Sequence, residues 1–321
     1  MTCADYSNIP EKTKGKTPTA FAFLIAMYAV YYRHMKTLHE SVLEARKNGV
    51  AIGHFNVCTM DGMWAVADAA RELDVPVIIG LSEGERDYVG VREAVAIVKT
   101  MREASGQPIF INADHTYSFD RVKEAVDAGF DSVIYDGAKL SLEENIAVTK
   151  KCVDYVKGKK DILIEAELGY IGQSSQVISS VPTGIQVTNP TDAKRFAAET
   201  GIDMLAPAVG NFHGMLEGSK ELTLEAKKIN IEIIQAISDA TGLPLVLHGG
   251  SGQGDDAVQK AIKAGIAIVH VNTELRVAYR TGLIKSLSEN PDEVAPYKYM
   301  KPAKLAMQAV VKEKLKVINF L

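Results

Sequence analysis

Pro108-Ile109-Phe110-Ile111-Asn112-Ala113-Asp114-His115 opens as a buried strand and ends in an acid beside an imidazole. Its apolar half predicts a strand in a barrel wall, with Asp114 and His115 emerging at the C-terminal end. Two later stretches follow the same plan. Met204-Leu205-Ala206-Pro207-Ala208-Val209-Gly210 runs into His213, and Pro244-Leu245-Val246-Leu247 runs into His248. Three strand ends that each deliver a histidine point to one shared metal ion.

The surrounding pattern is regular. Leu38, Val42, Leu43 and Ala45 give an amphipathic helix ended by Gly49. Near-continuous apolar runs predict strands at 51–57, 76–82, 108–114, 132–136, 161–169, 204–210, 244–251 and 267–273. Helical periodicity falls between them, at 60–73, 91–104, 119–128, 224–240, 254–265 and 274–288, with two more helical stretches after Pro291. Ser141 and Glu144 have capping-box spacing, and Pro190 suits the first turn of a helix beginning at Asn189. Eight strand–helix units in about 250 residues predict an α/β fold, a (β/α)8 TIM barrel with extra C-terminal helices. A doubly wound open sheet would carry a glycine fingerprint after its first strand, and Phe55-Asn56-Val57-Cys58 is not one.

The 321 residues are 47% hydrophobic and 24% charged, with net charge −4. That balance offers no basic surface for nucleic acid or for an anionic membrane. Cys3, Cys58 and Cys152 are scattered, without metal-binding or disulfide spacing, which favours a reducing, cytoplasmic setting. Residues 1–34 fit the pattern poorly. Lys12, Lys14 and Lys16 precede an apolar run over 20–32, in the order of a signal peptide. The run is too short for a membrane span, which needs ~18 or more apolar residues. No clean cleavage site follows, so 1–34 is read as an extension ahead of a barrel domain over 35–321.

Barrel enzymes work at the C-terminal ends of their strands. Here those ends offer Asn56, Ser82 with Glu83, Asp114 with His115, Asp136, Glu165 with Glu167, His213, His248, and His270 through Thr273. Three neutral imidazoles with an open position suit catalytic zinc. Asp136 and Glu167 supply oxygen ligands that either orient the imidazoles or hold a second ion. Gly214 and the turn Gly249-Gly250-Ser251-Gly252 leave backbone N–H groups uncovered, a common phosphate seat after the late strands of a barrel. Asn272 and Thr273 can add amide and hydroxyl donors.

These motifs resemble those of class II, zinc-dependent fructose-bisphosphate aldolases and their tagatose-bisphosphate relatives. The resemblance runs from Met35 to about Leu315 and rests on Asn-Ala-Asp114-His115, Asp136, Glu165-Ala-Glu167-Leu-Gly169, Val-Gly210-Asn-Phe-His213-Gly214, Leu-His248-Gly-Gly-Ser251 and Val271-Asn272-Thr273-Glu274-Leu275-Arg276. It implies that His115, His213 and His248 bind the catalytic zinc, and that Asp114 moves the proton of the substrate's C4 hydroxyl. Asp136 and Glu167 match positions that can hold a second divalent ion or a monovalent cation. Gly214, Gly249, Gly250, Ser251, His270, Asn272 and Thr273 match the seat for dihydroxyacetone phosphate. Asn56, Ser82 and Arg276 are expected to contact substrate too. The implied protein is a cytoplasmic lyase of carbohydrate metabolism, a dimer or tetramer acting on a phosphorylated sugar. A Schiff-base route needs a lysine at a strand end; Lys139, past the fourth strand, is the nearest.

The chain departs from the pattern at three points. Ser175, within Gly172-Gln173-Ser174-Ser175-Gln176, stands where the family has a glutamate that takes the enolising proton, and no acid occurs between Glu167 and Asp192. Either another carboxylate, Glu83 or Glu85, substitutes for that glutamate, or the protein does different chemistry. The family's Asn-x-Asp-Thr is here His270-Val271-Asn272-Thr273, and a C-terminal basic residue is replaced by Tyr297, with Lys298 and Arg276 remaining. Two other functions therefore stay open: an aldolase for a different phosphorylated keto compound, and a zinc-binding barrel without catalysis.

Overall fold

Strands that are apolar on both faces must be covered on both, and closing the sheet on itself inside a ring of helices does this. The protein is described here from a computed structural model covering residues 36–159, 161–172, 175–218 and 220–321. Its strands are β1 (Ile52–Asn56), β2 (Val77–Leu81), β3 (Ile109–Thr116), β4 (Ser132–Tyr135), β5 (Leu163–Leu168), β6 (Val177–Ile178), β7 (Met204–Pro207), β8 (Met215–Leu216), β9 (Leu245–Leu247) and β10 (Ile266–Val271). All but β6 and β8 form a closed parallel barrel in chain order, with β10 pairing back to β1. The expectation for residues 1–34 falls outside the described residues.

The helices are α1 (Leu38–Asn48), α2 (Met60–Leu73), α3 (Glu83–Val89), α4 (Val91–Ser105), α5 (Phe119–Ala128), α6 (Leu142–Val156), α7 (Pro190–Thr200), α8 (Lys220–Ala226), α9 (Ile231–Thr241), α10 (Asp255–Lys263), α11 (Thr273–Glu289), α12 (Pro296–Tyr299) and α13 (Lys301–Asn319). Local chemistry sets many of their ends. Thr37 with Glu40 and Ser141 with Glu144 form capping boxes at α1 and α6. The Asn189 side chain caps α7, whose first turn holds Pro190. The extra C-terminal helix α13 packs on α2, α11 and β1. Among the described residues, no helix is long and apolar enough to cross a membrane.

Strand alternation divides the barrel interior into layers. Ile52, Ile78, Phe110, Leu163, Met204, Val246 and Ile268 fill the lower part, where Leu38, Val42 and Ala45 of α1 plug the end. Two residues further along, the same faces turn polar: His54, Asn112, Glu165, His248 and His270, all buried. A polar layer inside a barrel is tolerable only when hydrogen-bonded. His54 Nε2 meets Asn112 Oδ1 at 3.1 Å, and Asn112 Nδ2 donates to Ser132 Oγ at 2.7 Å. His54 and His270 are register partners on β1 and β10, and their rings stack 3.5 Å apart and nearly parallel.

Several expectations need correction. The helix predicted over 224–240 is two helices, α8 and α9, because Asn230 caps a new start by accepting from Ile233 N–H. The strands predicted at 204–210 and 244–251 stop at Pro207 and Leu247, where the chain leaves the ladder for the loops of the barrel mouth. Helix α3 and the two-stranded β6–β8 ribbon were not expected. Leu43, assigned to the apolar face of α1, is exposed.

Gly80 makes room for the polar layer. A Cβ there would stand 2.0 Å from His54 Cε1, and that ring is held by Asn112 and His270. Gly80→Ala should lower stability by roughly 1–3 kcal/mol in denaturant unfolding. An unchanged midpoint would show that the His54 ring is free to move aside.

Candidate active site

In a regular strand, neighbouring side chains face opposite sides. Asp114 and His115 nevertheless line the same pocket. The β3–β4 register shifts between Ala113 and Thr116, and His115 has φ 39°, a left-handed conformation that costs a non-glycine residue energy. Arg86 of α3, 1% exposed, holds this bulge. Its Nη1 donates to the carbonyls of Leu81 at 2.6 Å and Asp114 at 2.9 Å, and its Nη2 to Thr116 Oγ1 at 3.0 Å. The clamp spans β2 and both sides of the bulge.

His115, His213 and His248 converge as the sequence predicts. Their ring centroids lie 4.8, 5.0 and 5.8 Å apart, and the planes are steeply inclined to one another. Each ring offers a nitrogen, and these lie within 4.8 Å of one another. The other nitrogen of each ring is fixed from behind. His115 Nδ1 faces Asp136 Oδ2 at 3.1 Å and Glu167 Oε1 at 2.9 Å. His213 Nδ1 faces the Gly172 carbonyl at 2.8 Å, and His248 Nε2 faces Glu165 Oε1 at 2.9 Å. That pattern leaves Nε2 of His115, Nε2 of His213 and Nδ1 of His248 for a metal, each ring oriented by a carboxylate or carbonyl. His248 Nδ1 is buried and has no hydrogen-bond partner among the described residues. The donor set fits zinc. His115, Asp136 and Glu167 form a second group of metal-binding spacing.

Burial pushes His213 down to about 3, so its ring is neutral at ordinary pH. Burial acts on His115 in the same direction, but Asp114 and Glu167 overcome it and carry that ring well above its usual value. Burial tends to raise Asp114, yet His115 and His270 hold the carboxyl well below the usual range. Asn56 Nδ2 donates to Asp114 Oδ2 at 2.8 Å, and His270 Nδ1 stands 3.5 Å from Oδ1. Asp114 thus sits ionised beside the three imidazoles.

The pocket between these groups is lined also by Asn56, Ser175, Gly214, Gly249, Ser251, His270, Asn272 and Thr273. Gly249 has φ 64°, and a Cβ there would lie 2.3 Å from the Phe212 carbonyl oxygen, so the turn admits only glycine. Gly250 does not line the pocket; its N–H donates to the His270 carbonyl at 2.9 Å. Ser82 and Arg276 line an adjoining rim cavity of about 270 Å³, with Glu83, Tyr117 and Ser175. Of the two acids offered in place of the loop glutamate, Glu83 lines this cavity, whereas Glu85 is held by Arg276 at 2.6 Å and by Ser82 and Asn56. Lys298 pairs with Glu293 at 2.9 Å. Gln173 and Ser174 lie outside the described residues.

A family model described as fructose-bisphosphate aldolase class-II matches residues 36–320. The chain belongs to the class II fructose-bisphosphate aldolase family. The fructose-bisphosphate aldolase of Staphylococcus aureus is 37% identical over 284 residues, covering 87% of this chain and 96% of that protein. That of Geobacillus stearothermophilus is 34% identical over 284 residues, covering 87% and 95%. Among solved structures, the YdjI aldolase from Escherichia coli K12 matches with a TM-score of 0.72 at 29% identity, covering 88% of this chain and 96% of that one. Campylobacter jejuni fructose-bisphosphate aldolase shares the fold, with a TM-score of 0.72 at 20% identity over 87% of this chain and 93% of that one.

In this member of the family several important side chains carry little signal in the sequence. His54 lies deep in β1, where its only signal was an imidazole on the inward face. Arg86 is on the unexpected helix α3. Asn211 donates from Nδ2 to the His248 carbonyl at 2.9 Å and accepts from Val209 N–H, tying two mouth loops together.

Two outcomes are expected. Glu165→Gln should weaken zinc binding about tenfold or more in competition with a chelator, because His248 loses its carboxylate partner; unchanged affinity would remove Glu165 from the support of the site. Burial holds His54 at about 4, below its ordinary 6.5, so the unfolded chain takes up the proton first. The stability this gives is intact above pH 6.5 and is lost as pH falls toward 4, in all roughly 3 kcal/mol. Denaturant unfolding should therefore fall off less steeply across that window in His54→Asn.

Proposed function

We propose that this protein is a zinc-dependent aldolase that cleaves a ketose bisphosphate such as fructose 1,6-bisphosphate to dihydroxyacetone phosphate and an aldehyde. One observation carries the reading: an ionised Asp114 stands beside three oriented imidazoles, next to a glycine turn at the barrel mouth. His115, His213 and His248 would hold the zinc. Bound there, the ion supplies Lewis-acid polarisation of the ketone and hydroxyl oxygens, the sink that carbon–carbon cleavage beside a ketone requires.

The chain's own residues handle the protons: Asp114 serves the hydroxyl oxygen, and Glu83 in the rim cavity is the candidate donor of the proton that the cleaved carbon takes up to become dihydroxyacetone phosphate. Asp114 Oδ2 is fixed by Asn56, while Oδ1 has no hydrogen-bond partner among the described residues. That oxygen takes the proton of the C4 hydroxyl in cleavage and returns it in condensation. Asp136 and Glu167 orient His115, with a second cation as their further use. Gly214, Gly249, Ser251, Asn272 and Thr273 seat the phosphate of the dihydroxyacetone half at the start of α11, where backbone N–H groups and the helix dipole favour an anion. Ser82 and Arg276 receive the far end of the substrate in the rim cavity. Composition and family resemblance support a cytoplasmic homo-oligomer.

Cleavage of fructose 1,6-bisphosphate should be abolished by chelator and restored by zinc. Asp114→Ala should lose roughly 10²–10⁴ in kcat while keeping its zinc. Inactivation by borohydride in the presence of substrate would instead reveal a Schiff base and sink the mechanism.

A further inference from the structure

Behind the glycine turn, outside the set of pocket-lining residues, lies a lysine that is 3% exposed. Lys227 follows α8, and its backbone N–H donates to the Thr223 carbonyl at 2.9 Å. Its Nζ donates to the carbonyl of Gly249 at 2.9 Å and to that of Ser251 at 2.6 Å, and stands 4.7 Å from the Phe212 ring centroid. Lysine is rarely buried so completely, and then normally against a carboxylate. Here its hydrogen-bond partners are two peptide carbonyls of one turn. Burial pushes the amine down to about 7, partly opposed by Glu274, so keeping an ammonium here costs the fold stability.

The contacts have a geometric consequence. Peptide units are planar and trans, so a carbonyl aimed one way sends the next N–H the other way. Drawing the Gly249 and Ser251 oxygens toward Lys227 sends Gly250 N–H to the His270 carbonyl at 2.9 Å and Gly252 N–H to Glu274 Oε1 at 2.5 Å. Ser251 Oγ accepts from Asn272 N–H at 3.0 Å. The turn is pinned on its far side, and Gly249 and Ser251 are left facing the pocket beside Gly214, Asn272 and Thr273.

We propose that Lys227 is a positioning residue for phosphate: it holds the Gly249–Ser251 turn in the shape that seats the anion, and it sets a positive charge directly behind that turn. The proposal rests on reading the turn as the phosphate seat. A cation separated from a dianion by one layer of peptide acts through a low-dielectric medium, where the attraction is weakly screened.

The test is calorimetric titration of inorganic phosphate into zinc-loaded wild-type protein, K227M and K227Q. The zinc ligands are common to all three, so differences report on the turn. K227M should bind phosphate roughly tenfold or more weakly, with unchanged zinc content. K227Q keeps N–H donors without the charge and should fall between. With fructose 1,6-bisphosphate the loss should appear in KM while kcat is held, which a general loosening of the core would not produce. If K227M does not fold, the K227Q measurement decides. Phosphate affinity within about twofold of wild type in the folded variants would overturn the proposal. If the wild type itself takes up no phosphate, the seat reading fails as well, and that failure shows in the wild type rather than in the variants.

Discussion

The site depends on one local violation of strand geometry. Period-two alternation would send Asp114 into the barrel and His115 out among the helices. The bulge after Ala113 and the left-handed backbone of His115 bring both to the mouth. Such a conformation persists only where surrounding contacts over-determine it. Arg86 supplies three of them, reaching across from α3 to both strands. An arginine suits this task because its planar fork offers several donors at fixed angles. Without the clamp, an acid and a histidine adjacent in sequence would not face one pocket.

The second constraint is dielectric. The upper barrel interior holds His54, His248 and His270 in a stacked column, with Asp114 and Glu165 beside it, all nearly inaccessible. Each buried polar group needs a partner or becomes costly. His54 finds Asn112, His248 finds Glu165 and His115 finds two carboxylates. The nitrogens left over on His115, His213 and His248 lie within 4.8 Å of one another, so the hydrogen bonds that satisfy these three rings also select which of their nitrogens stay available for a metal. A preorganised site of this kind needs little rearrangement when an ion arrives.

The loops after β5 and β7 complete the mouth. The β6–β8 ribbon ties them together, and the Gly172 carbonyl and Ile171 backbone hold His213 in place. In this loop no acid occurs between Glu167 and Asp192, and Arg276 Nη1 donates to the Ser175 carbonyl at 3.1 Å. The three candidate metal ligands are thus each backed by a carboxylate or carbonyl, and the adjoining rim cavity offers Glu83 as an acid.

Much of this was legible in the sequence. Apolar runs marked the eight barrel strands, because strands covered on both faces must be apolar throughout, and residues at their C-terminal ends marked the site. Gly49, the Ser141–Glu144 capping box and the Asn189-Pro190 start fix element ends through contacts within a few residues, so they follow from local chemistry. His54, Arg86, Asn211 and Lys227 carried no such signal. Each makes a contact that only the folded barrel brings near: His54 stacks on a residue 216 positions away, its register partner on β10, Arg86 holds the Asp114 carbonyl, Asn211 holds the His248 carbonyl, and Lys227 reaches the Gly249 and Ser251 carbonyls from a break between helices that periodicity alone had bridged. Sequence by itself determined the barrel and which residue types stand at its mouth, because burial and chain connectivity impose both. Tertiary structure alone decided which imidazole nitrogens are left for a metal, which way His115 turns and what lies behind the Gly249–Ser251 turn, because those depend on contacts between strands and helices far apart along the chain.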